Sequence, residues 1–457
     1  MKYYSTNNRA PVATLEKAVV KGLAEDRGLY MPEIIKQLPK DFIDNIEKYS
    51  FQEIAYTVAD AFFGEDVEAE ALKGIVYDTL AFDCPIVEVE ENIYSLELFH
   101  GPTLAFKDVG ARFMARLLQY FIRRQADNAS ANDTVNVLVA TSGDTGSAVA
   151  NGFLGVDGIH VYVLYPKGKV SNIQESQFTT LGKNITAIEV DGVFDDCQAL
   201  VKNAFMDQEL NAHMQLTSAN SINVARFLPQ AFYYFNAYAR MKELLIKSGS
   251  CLTDNSIVMC VPSGNFGNIC AALFGHTMGL PIKRFIAANN ANDIFYKYLQ
   301  TGKYEPKPTR QTLANAMDVG DPSNFARIID LYSRDDVRHA GNKAQTTHEV
   351  ITSLISGATY TDEQIKATMK ACYNATGYIL DPHGACGYQA LKDGLQPGEI
   401  GIFCETAHPA KFKEKVDAIN QIDVVIPERL AAFMNGTKQS IQMSKDFAAF
   451  KAFLMNQ

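Results

Sequence analysis

The sequence has no apolar run long enough to cross a membrane, and its first residues contain no apolar core of the length found in export signals. Basic residues are also in deficit. The net charge of -10 argues against a general nucleic-acid binder, which needs basic surface to neutralise phosphates. An anionic small molecule needs only a local positive pocket and is not excluded. We therefore expect a soluble, cytoplasmic protein without a nucleic-acid or membrane partner.

Patterns typical of disulfide frameworks and metal sites are missing as well. The 8 cysteines include no Cys-x-x-Cys pair, and the 8 histidines include no His-x-x-x-His pair. A Glu-x-x-His pair, Glu405 with His408, is predicted at a strand end rather than on a helix. We expect reduced, mostly buried cysteines and no metal ion. Internal repeats and low-complexity tracts are absent too.

The length and composition indicate a globular protein with two or three domains. The chain has 457 residues, of which 47% are hydrophobic and 21% are charged. Residues 1–97 carry no strong chemical signal and are interpreted as an N-terminal capping domain. The predicted boundaries of the other two domains are 98–247 and 248–457.

From about residue 98, short apolar runs of strand length alternate with helical segments. The predicted strands are 135–140, 159–165, 185–190, 256–261, 283–288 and 401–405. The predicted helices are 148–154, 171–181, 197–205, 224–247 and 269–278. Pro229 falls in the first turns of the fourth, so a somewhat later start is the alternative there. This alternation predicts an α/β fold with parallel sheets covered by helices. Two separate α/β runs predict two lobes, with the cleft between them as the ligand site.

The stretch HGPTLAFKDV, residues 100–109, places Lys107 where a Gly-Pro turn enters an amphipathic helix. The helix dipole and the apolar neighbours both disfavour the charged form of a lysine at this position. A neutral lysine amine is a nucleophile that can form a Schiff base. The alternative is an ordinary lysine whose charge reaches water or pairs with Asp108.

One loop between a predicted strand and a helix, SGNFGN, is the best candidate for binding an anion. Ligands in open parallel sheets bind beyond the carboxyl ends of strands, and backbone amides at a helix N-terminus attract phosphate. The loop lacks the Gly-Lys-Ser/Thr ending of a nucleotide P-loop, so a plain helix cap is the alternative. Its candidate residues are Gly264, Asn265, Phe266, Gly267 and Asn268.

Two further loops and one threonine could contact a substrate or cofactor. Hydroxyls and amides suited to a carboxylate come from Ser142, Gly143, Asp144 and Thr145. Donors that include a guanidinium suited to phosphate come from Asn220, Ser221, Asn223 and Arg226. Thr406 follows the last predicted strand and could donate to a ring nitrogen. The alternatives are a helix cap at Asp144, a surface arginine at Arg226 and a turn cap at Thr406.

Six of these stretches, in this order, resemble the threonine synthase family in its longer bacterial and fungal form. They read HGPTLAFKDVGARFMA, ATSGDTGSAVA, SANSINVARFLPQ, VPSGNFGN, NAMDVGDPSNFARI and ETAHPAKFKE. The segments STNNR and RGLYMP near the N-terminus are similar to the family as well. The resemblance implies a pyridoxal 5'-phosphate enzyme with the tryptophan-synthase-β-like fold (fold type II), which has two parallel-sheet lobes.

The resemblance also implies roles for the candidate residues. Lys107 would bind pyridoxal phosphate covalently, residues 264–268 would hold its phosphate, and Thr406 would face its pyridine nitrogen. Residues 142–145 would lie near the substrate carboxylate. The substrate phosphate is assigned to the four residues between 220 and 226 already named. Related enzymes often have Asn in place of Asp144, and two anionic oxygens repel, which argues against contact between Asp144 and the phenolic oxygen of the cofactor.

The activity that the resemblance implies converts O-phospho-L-homoserine and water to L-threonine and phosphate, by γ-elimination and β-replacement, as the last step of threonine biosynthesis. One alternative is a serine/threonine dehydratase or cysteine synthase of the same fold. Another is a non-catalytic nucleotide-binding protein, suggested only by the Gly-rich loops. For Asp381, His383 and His408 we expect structural roles in turns.

Overall fold

The computed structural model of the chain describes residues 1–126, 134–249, 256–338 and 346–457. These residues separate into two structural units. The six-strand unit consists of Met1, residues 31–100 and residues 227–425. The five-strand unit consists of residues 2–30, 101–226 and 426–457. The division into domains 1–97, 98–247 and 248–457 stays a prediction.

The strands and helices follow one another along the chain in four stretches. Up to residue 100 they are β1 (Lys2–Ser5), β2 (Ala13–Thr14), α1 (Leu15–Lys21), β3 (Tyr30–Pro32), α2 (Lys40–Asp44), α3 (Phe51–Phe63), α4 (Ala69–Thr79), β4 (Ile86–Glu90) and β5 (Ile93–Glu97). Up to residue 227 they are α5 (Lys107–Ala126), β6 (Val135–Ala140), α6 (Asp144–Phe153), β7 (Ile159–Pro166), α7 (Asn172–Thr179), β8 (Ile185–Asp191), α8 (Phe194–Met206), α9 (Gln208–His213), β9 (Gln215–Ser218) and α10 (Val224–Phe227). Up to residue 420 they are α11 (Ala231–Lys247), β10 (Ile257–Pro262), α12 (Gly267–Thr277), β11 (Arg284–Asn289), α13 (Ile294–Thr301), α14 (Phe325–Ser333), α15 (Asp335–Arg338), α16 (Thr347–Leu354), β12 (Ile355–Thr359), α17 (Asp362–Thr376), α18 (Pro382–Gly394), β13 (Ile400–Glu405) and α19 (Lys413–Asn420). The last stretch contains α20 (Glu428–Met434), β14 (Ile441–Ser444) and α21 (Phe447–Met455).

The five-strand unit is built on a parallel sheet with the order β14-β8-β7-β6-β9. Every residue of β6, VNVLVA, is buried, as expected for a strand covered by helices on both faces. Because β6 and β9 are parallel, the loops that follow Ala140 and Ser218 leave the sheet at the same edge. Both loops carry predicted site residues.

The six-strand unit is built on a sheet with the order β12-β11-β10-β13-β5-β4. All neighbours in it are parallel except β4, which runs antiparallel to β5 at one end. Parallel pairing of β10 with β13 puts the loops after Pro262 and Glu405 at one edge. The predicted α/β architecture with two parallel-sheet lobes is confirmed.

The helix predicted after Lys107 is also confirmed, since α5 begins at that residue. Its apolar face is buried, with exposures of 0–1% for Val109, Phe113, Met114, Leu117, Leu118 and Phe121. Gly110 lets this helix approach α10 closely, because a Cβ atom there would lie 2.2 Å from the carbonyl oxygen of Arg226. Close backbone contact thus fixes α5 against the segment that carries Arg226.

The helix predicted over about 224–247 begins later than residue 224, in agreement with the alternative start expected from Pro229. The chain forms α10, then a 3-10 turn at Leu228–Gln230, and only then α11. Pro229 causes the break, because proline lacks the amide hydrogen that an α-helix needs and clashes with the preceding turn. The aromatic side chains of the segment form core as predicted, namely Phe227, Phe232, Tyr233, Tyr234, Phe235 and Tyr238.

Helix α6 begins at Asp144, whereas the predicted helix begins at residue 148, so part of the predicted loop is its first turn.

Cysteines 84, 197, 260, 270, 372, 386 and 404 are free and buried, while Cys251 lies outside the described residues. Within the described ranges, none of the helices combines the length and the apolar character that crossing a bilayer requires.

Substitution of Gly110 tests the contact between α5 and α10. Gly110→Ala should lower the free energy of unfolding by about 1–3 kcal/mol, because the new methyl group overlaps a backbone carbonyl. Gly74→Ala in the exposed face of α4 is the matched control; its Cβ meets nothing within 4 Å. The control should raise stability by up to about 1 kcal/mol. Urea unfolding followed by circular dichroism measures the free energy of unfolding of both variants. The same change in Gly110→Ala and Gly74→Ala would contradict the close contact between α5 and α10.

Candidate active site

Lys107 is the first residue of α5 and is half-buried. Its Nζ atom donates a hydrogen bond to Thr145 Oγ1 over 2.8 Å and lies 5.6 Å from the ring centre of Phe106. The turn that precedes Lys107 contains a residue in the left-handed region, since Leu104 has φ of 57°. The structure thus brings Lys107 and Thr145, two residues singled out in the sequence, into direct contact.

The carboxylate of Asp108 holds the turn before the lysine. It is 1% exposed and accepts hydrogen bonds from the Thr103 amide over 2.9 Å and the Thr103 hydroxyl over 2.6 Å. The amide of Gln177 donates to the Thr103 carbonyl oxygen over 3.0 Å. A buried carboxylate needs hydrogen-bond donors, and Thr103 supplies them. Asp108 therefore stabilises the turn that precedes Lys107.

Arg226 also lies beside Lys107. Its Nη1 atom donates to the Lys107 carbonyl oxygen over 3.1 Å, and the side chain is only 2% exposed. This contact excludes the surface-arginine alternative. A guanidinium next to the lysine backbone provides positive charge in this part of the five-strand unit, as binding of an anionic substrate requires.

The loop 141–146 is organised by Thr141, whose Oγ1 accepts hydrogen bonds from the amides of Gly143 over 2.9 Å and Gly146 over 2.8 Å. Gly143 has φ of 141°, a conformation that favours glycine, and it directly precedes α6. Ser142 and Thr145 are half-buried, whereas Asp144 is 4% exposed. The Thr141 side chain therefore fixes the loop backbone, and the side chains of Ser142 and Thr145 remain partly accessible.

The carboxylate of Asp144 accepts a hydrogen bond from Gln174 Nε2 over 2.9 Å. Gln174, a residue that the sequence reasoning missed, is 1% exposed, and its Oε1 accepts from the Ser171 hydroxyl over 3.1 Å. No pattern in the sequence connects positions 144 and 174, because the contact depends on the packing of α6 against α7. The contact favours a role for Asp144 in fixing the loop.

The segment 220–223 is held by backbone contacts. Asn223 is fully buried; its Nδ2 donates to the carbonyl oxygens of Val19 over 2.8 Å and Ser218 over 3.2 Å, and its Oδ1 accepts from the Ala225 amide over 3.0 Å. Asn220 and Ser221 are half-buried. Asn223 therefore shapes the segment, while direct contact of these residues with a substrate stays a prediction.

In the six-strand unit, the anion loop (residues 263–268) connects β10 to α12. Phe266 adopts a left-handed conformation with φ of 61°, and α12 begins after it without a side-chain cap. Such strain costs about 1–3 kcal/mol and is concentrated at ligand sites in proteins. Asn268 Nδ2 donates to the Pro262 carbonyl oxygen over 2.8 Å, which closes the loop. Gly267 and its neighbours thus start a helix whose amides suit an anion.

Thr406 directly follows β13 and is 6% exposed. The neighbouring Glu405 is completely buried, and burial together with the charge of Asp381 raises the pKa of Glu405 well above its usual range. Asp381 caps α18 and accepts from the His383 amide over 2.6 Å. The expectation of structural roles for Asp381 and His383 fits these contacts, since both side chains are engaged in turns.

His408 caps the 3-10 turn at Pro409–Phe412, because its Nδ1 accepts from the Ala410 amide over 3.1 Å. Its ring makes an edge contact with Phe99, with centroids 5.1 Å apart. Burial lowers the pKa of His408 from 6.5 to about 4, and the neighbouring His100 acts in the same direction. His408 is therefore a neutral cap at physiological pH.

The predicted site residues thus form two groups. Lys107, Ser142, Gly143, Asp144, Thr145, Asn220, Ser221, Asn223 and Arg226 belong to the five-strand unit, and Gly264 to Asn268 and Thr406 belong to the six-strand unit. In the described part of the chain, no group of three or more His, Cys, Asp or Glu side chains is arranged to hold a metal ion. The roles of the individual residues in binding and catalysis stay predictions.

Comparison with known proteins gives matches along the whole chain. Residues 78–403 match the sequence profile of the family described as pyridoxal-phosphate dependent enzyme. Residues 2–80 match the profile described as threonine synthase N terminus, and residues 384–454 match the one described as threonine synthase, C-terminal.

Individual relatives agree over their full lengths. The threonine synthase of Haemophilus influenzae is 42% identical over 455 residues, covering 100% of both chains. The crystal structure of the Escherichia coli threonine synthase is 41% identical, with a TM-score of 0.89 and 100% of both chains covered. A PLP-bound threonine synthase structure from Brucella melitensis is 33% identical, with a TM-score of 0.89, and covers 100% of this chain and 99% of its own.

The depressed pKa of His408 predicts an acid-sensitive fold. The neutral ring stabilises the folded state above pH 6.5, and this contribution is lost as the pH falls from 6.5 towards 4, because the unfolded chain binds the proton first. The loss should reach about 3 kcal/mol at full effect. In His408→Asn, the amide oxygen can replace Nδ1 as the cap, and the amide does not bind a proton in this pH range. The decrease in the free energy of unfolding between pH 7 and pH 4.5 should therefore be about 2 kcal/mol smaller in this variant.

The control is His213→Asn, at an exposed position of the five-strand unit. Unfolding free energies at the two pH values should change in parallel for this control and the unaltered protein. An unchanged pH dependence in His408→Asn would refute the neutral cap.

Proposed function

This chain belongs to the threonine synthase family of pyridoxal-phosphate-dependent enzymes, and we propose that it converts O-phospho-L-homoserine and water to L-threonine and phosphate. The resemblance drawn from the six sequence motifs is confirmed. The observation that carries the proposal is identity of 42% and 41% with threonine synthases over the whole length of the chain. The reaction would make the protein a carbon–oxygen lyase acting on phosphates, in the last step of threonine biosynthesis.

The residues of each unit, taken by themselves, suit different parts of pyridoxal 5'-phosphate. The half-buried Lys107 amine would hold the aldehyde carbon, and the amides at the start of α12 would hold the phosphate, where the strained Phe266 leaves the helix without a side-chain cap. The Thr406 hydroxyl would face the pyridine nitrogen. When bound, the cofactor supplies an electron sink for the carbanion at the substrate Cα atom.

Lys107 is the group that moves protons at the substrate. Its Nζ atom would accept the proton from Cα, and the Thr145 hydroxyl, 2.8 Å away, would orient the amine between proton transfers. Arg226 holds the lysine backbone through the 3.1 Å contact with its carbonyl oxygen. The contacts of Thr145 and Arg226 thus serve to position the Lys107 amine.

The remaining residues of the five-strand unit would bind the substrate. The hydroxyls of Ser142 and Thr145 suit the substrate carboxylate, and the segment 220–226 suits its phosphate. Asp144 would act indirectly, since its carboxylate is bonded to Gln174. A neutral threonine facing the ring nitrogen would not keep that nitrogen protonated as a carboxylate would.

The alternatives raised by the sequence are not favoured. The full-length relatives are threonine synthases rather than serine/threonine dehydratases or cysteine synthases, and the matched family consists of pyridoxal-phosphate enzymes rather than nucleotide-binding proteins. A cytoplasmic location and the lack of a nucleic-acid partner stay predictions.

The test of the proposed activity is a phosphate-release assay with O-phospho-L-homoserine, coupled to detection of threonine. L-Serine under the same conditions is the comparison substrate. We expect equimolar phosphate and threonine, and little or no product from serine. Faster turnover of serine would instead support a dehydratase, and a colourless protein unaffected by borohydride would refute the cofactor assignment.

Lys107→Ala should abolish both turnover and covalent retention of the cofactor, because no other group replaces the amine. The expected fall in the rate is at least about 10²–10⁴-fold. Mass spectrometry after borohydride reduction reports the covalent adduct independently of turnover. Lys169→Ala, an exposed lysine of the same unit, is the control and should keep both properties. Full activity in Lys107→Ala would overturn the assignment.

A further inference from the structure

The anion loop is shaped by a second segment of the same unit, the wall segment (residues 315–324). A Cβ atom on Gly264 would lie 2.8 Å from both the Ala316 carbonyl oxygen and the Met317 Cα atom, so the two backbones touch. Asn265 Oδ1 accepts from the Ser323 amide over 2.7 Å. The conformation of the anion loop therefore depends on where the wall segment lies.

Asn324 completes this contact and is anchored in turn. Its Nδ2 donates to the Asn265 carbonyl oxygen over 3.0 Å, and its Oδ1 accepts from Arg327 Nη1 over 2.7 Å. Both side chains are fully buried, and Arg327 lies over the ring of Phe227, 4.1 Å from the ring centre. This end of the wall segment is thus fixed by packing.

The other end of the wall segment is held by His383. Its Nε2 accepts a hydrogen bond from the Ala316 amide over 3.1 Å, and its Nδ1 lies 2.5 Å from Asp381 Oδ1. A backbone amide can only donate, so Nε2 must carry no proton. The ring proton is therefore on Nδ1, where it is donated to Asp381. His383 is 1% exposed and Asp381 is fully buried, which keeps water from replacing either bond.

Asp381 also reaches the loop after β13. Its Oδ2 accepts from the Ala407 amide over 3.4 Å, and its own amide donates to Glu405 Oε1 over 2.5 Å. Burial and the neighbouring carboxylate of Asp381 raise the pKa of Glu405 well above its usual range, which favours the protonated form of Glu405. The side chain of Asp381 thus contacts both the ring of His383 and the backbone next to Thr406.

We propose that His383, held with its proton on Nδ1 by Asp381, is a positioning residue for the anion loop (residues 263–268). It fixes Ala316, against which Gly264 packs, and so sets the affinity of the loop for a phosphate group. This inference rests on the proposed function, because it takes the cofactor phosphate as the anion. The ring of His383 contacts the wall segment and need not touch the cofactor.

The experiment compares two ligands with the full-length apoprotein: pyridoxal phosphate, and pyridoxal, which has the same aldehyde and no phosphate. In His383→Asn the amide lies near the place of Nδ1 and cannot reach Ala316, so affinity for pyridoxal phosphate should fall by about tenfold. Affinity for pyridoxal should stay within about twofold of the unaltered protein. In His383→Gln, Oε1 lies near the place of Nε2 and can accept the Ala316 amide, so the phosphate-dependent affinity should be largely restored.

His276→Asn is the matched control, because this histidine lies in the last turn of α12, at the opposite end of the helix from the anion loop. It should leave both affinities unchanged. Melting temperatures of all variants separate a local loss of affinity from loss of the fold. Selective ¹⁵N labelling of histidine in the unaltered apoprotein, with His383→Gln to identify the resonance, should show a protonated Nδ1 and a bare Nε2.

Several results would overturn the inference. These are an equal loss for both ligands in His383→Asn, no loss for either, failure of His383→Gln to restore phosphate-dependent affinity in a folded protein, or a proton on Nε2. If the unaltered protein bound pyridoxal as tightly as pyridoxal phosphate, the phosphate role of the loop itself would fall, and this inference with it. Binding of neither ligand by the unaltered protein would refute the proposed function.

Discussion

Apart from Lys107, the candidate site residues follow strands whose parallel pairing joins segments that are far apart in the chain. In the five-strand unit, β6 pairs with β9, and in the six-strand unit, β10 pairs with β13. Parallel strands end at the same edge, so the loops after each pair leave the sheet side by side. The direct consequence is the contact of Asn220 Nδ2 with the Ala140 carbonyl oxygen over 3.4 Å. An antiparallel partner would have put these loops at opposite edges.

Buried polar side chains turn this coarse placement into defined loops. Asp108, Asp144, Asn223 and Asp381 are each less than 5% exposed, and each is bound by named donors or acceptors. A buried polar group without such a partner costs about 1–3 kcal/mol, so the loops lose stability if they move away from these contacts. The contacts of Asp108, Asp144 and Asn223 hold the loops of the five-strand unit in place before any ligand arrives, which lowers the entropic cost of binding.

Much of the fold and part of the site could be predicted from local patterns. The apolar run Val135–Ala140 and the start of a helix at Lys107 were confirmed because burial on both faces and amphipathic periodicity are local properties of the sequence. The helix predicted from about residue 224 begins at Ala231, after the break that Pro229 had indicated. The partner of Asp144 could not be predicted, since Gln174 lies 30 residues away and belongs to another helix.

Residue order alone established the α/β class, Lys107 as a candidate reactive lysine and the family, because six ordered motifs and the strand–helix alternation can be recognised without coordinates. The contacts of Thr145 and Arg226 with Lys107, and the contact of His383 with Ala316, became visible only in the folded chain. The physical reason is separation along the chain. Residues 38, 119 and 67 positions apart become neighbours only when sheets and helices pack, and packing depends on all of them at once.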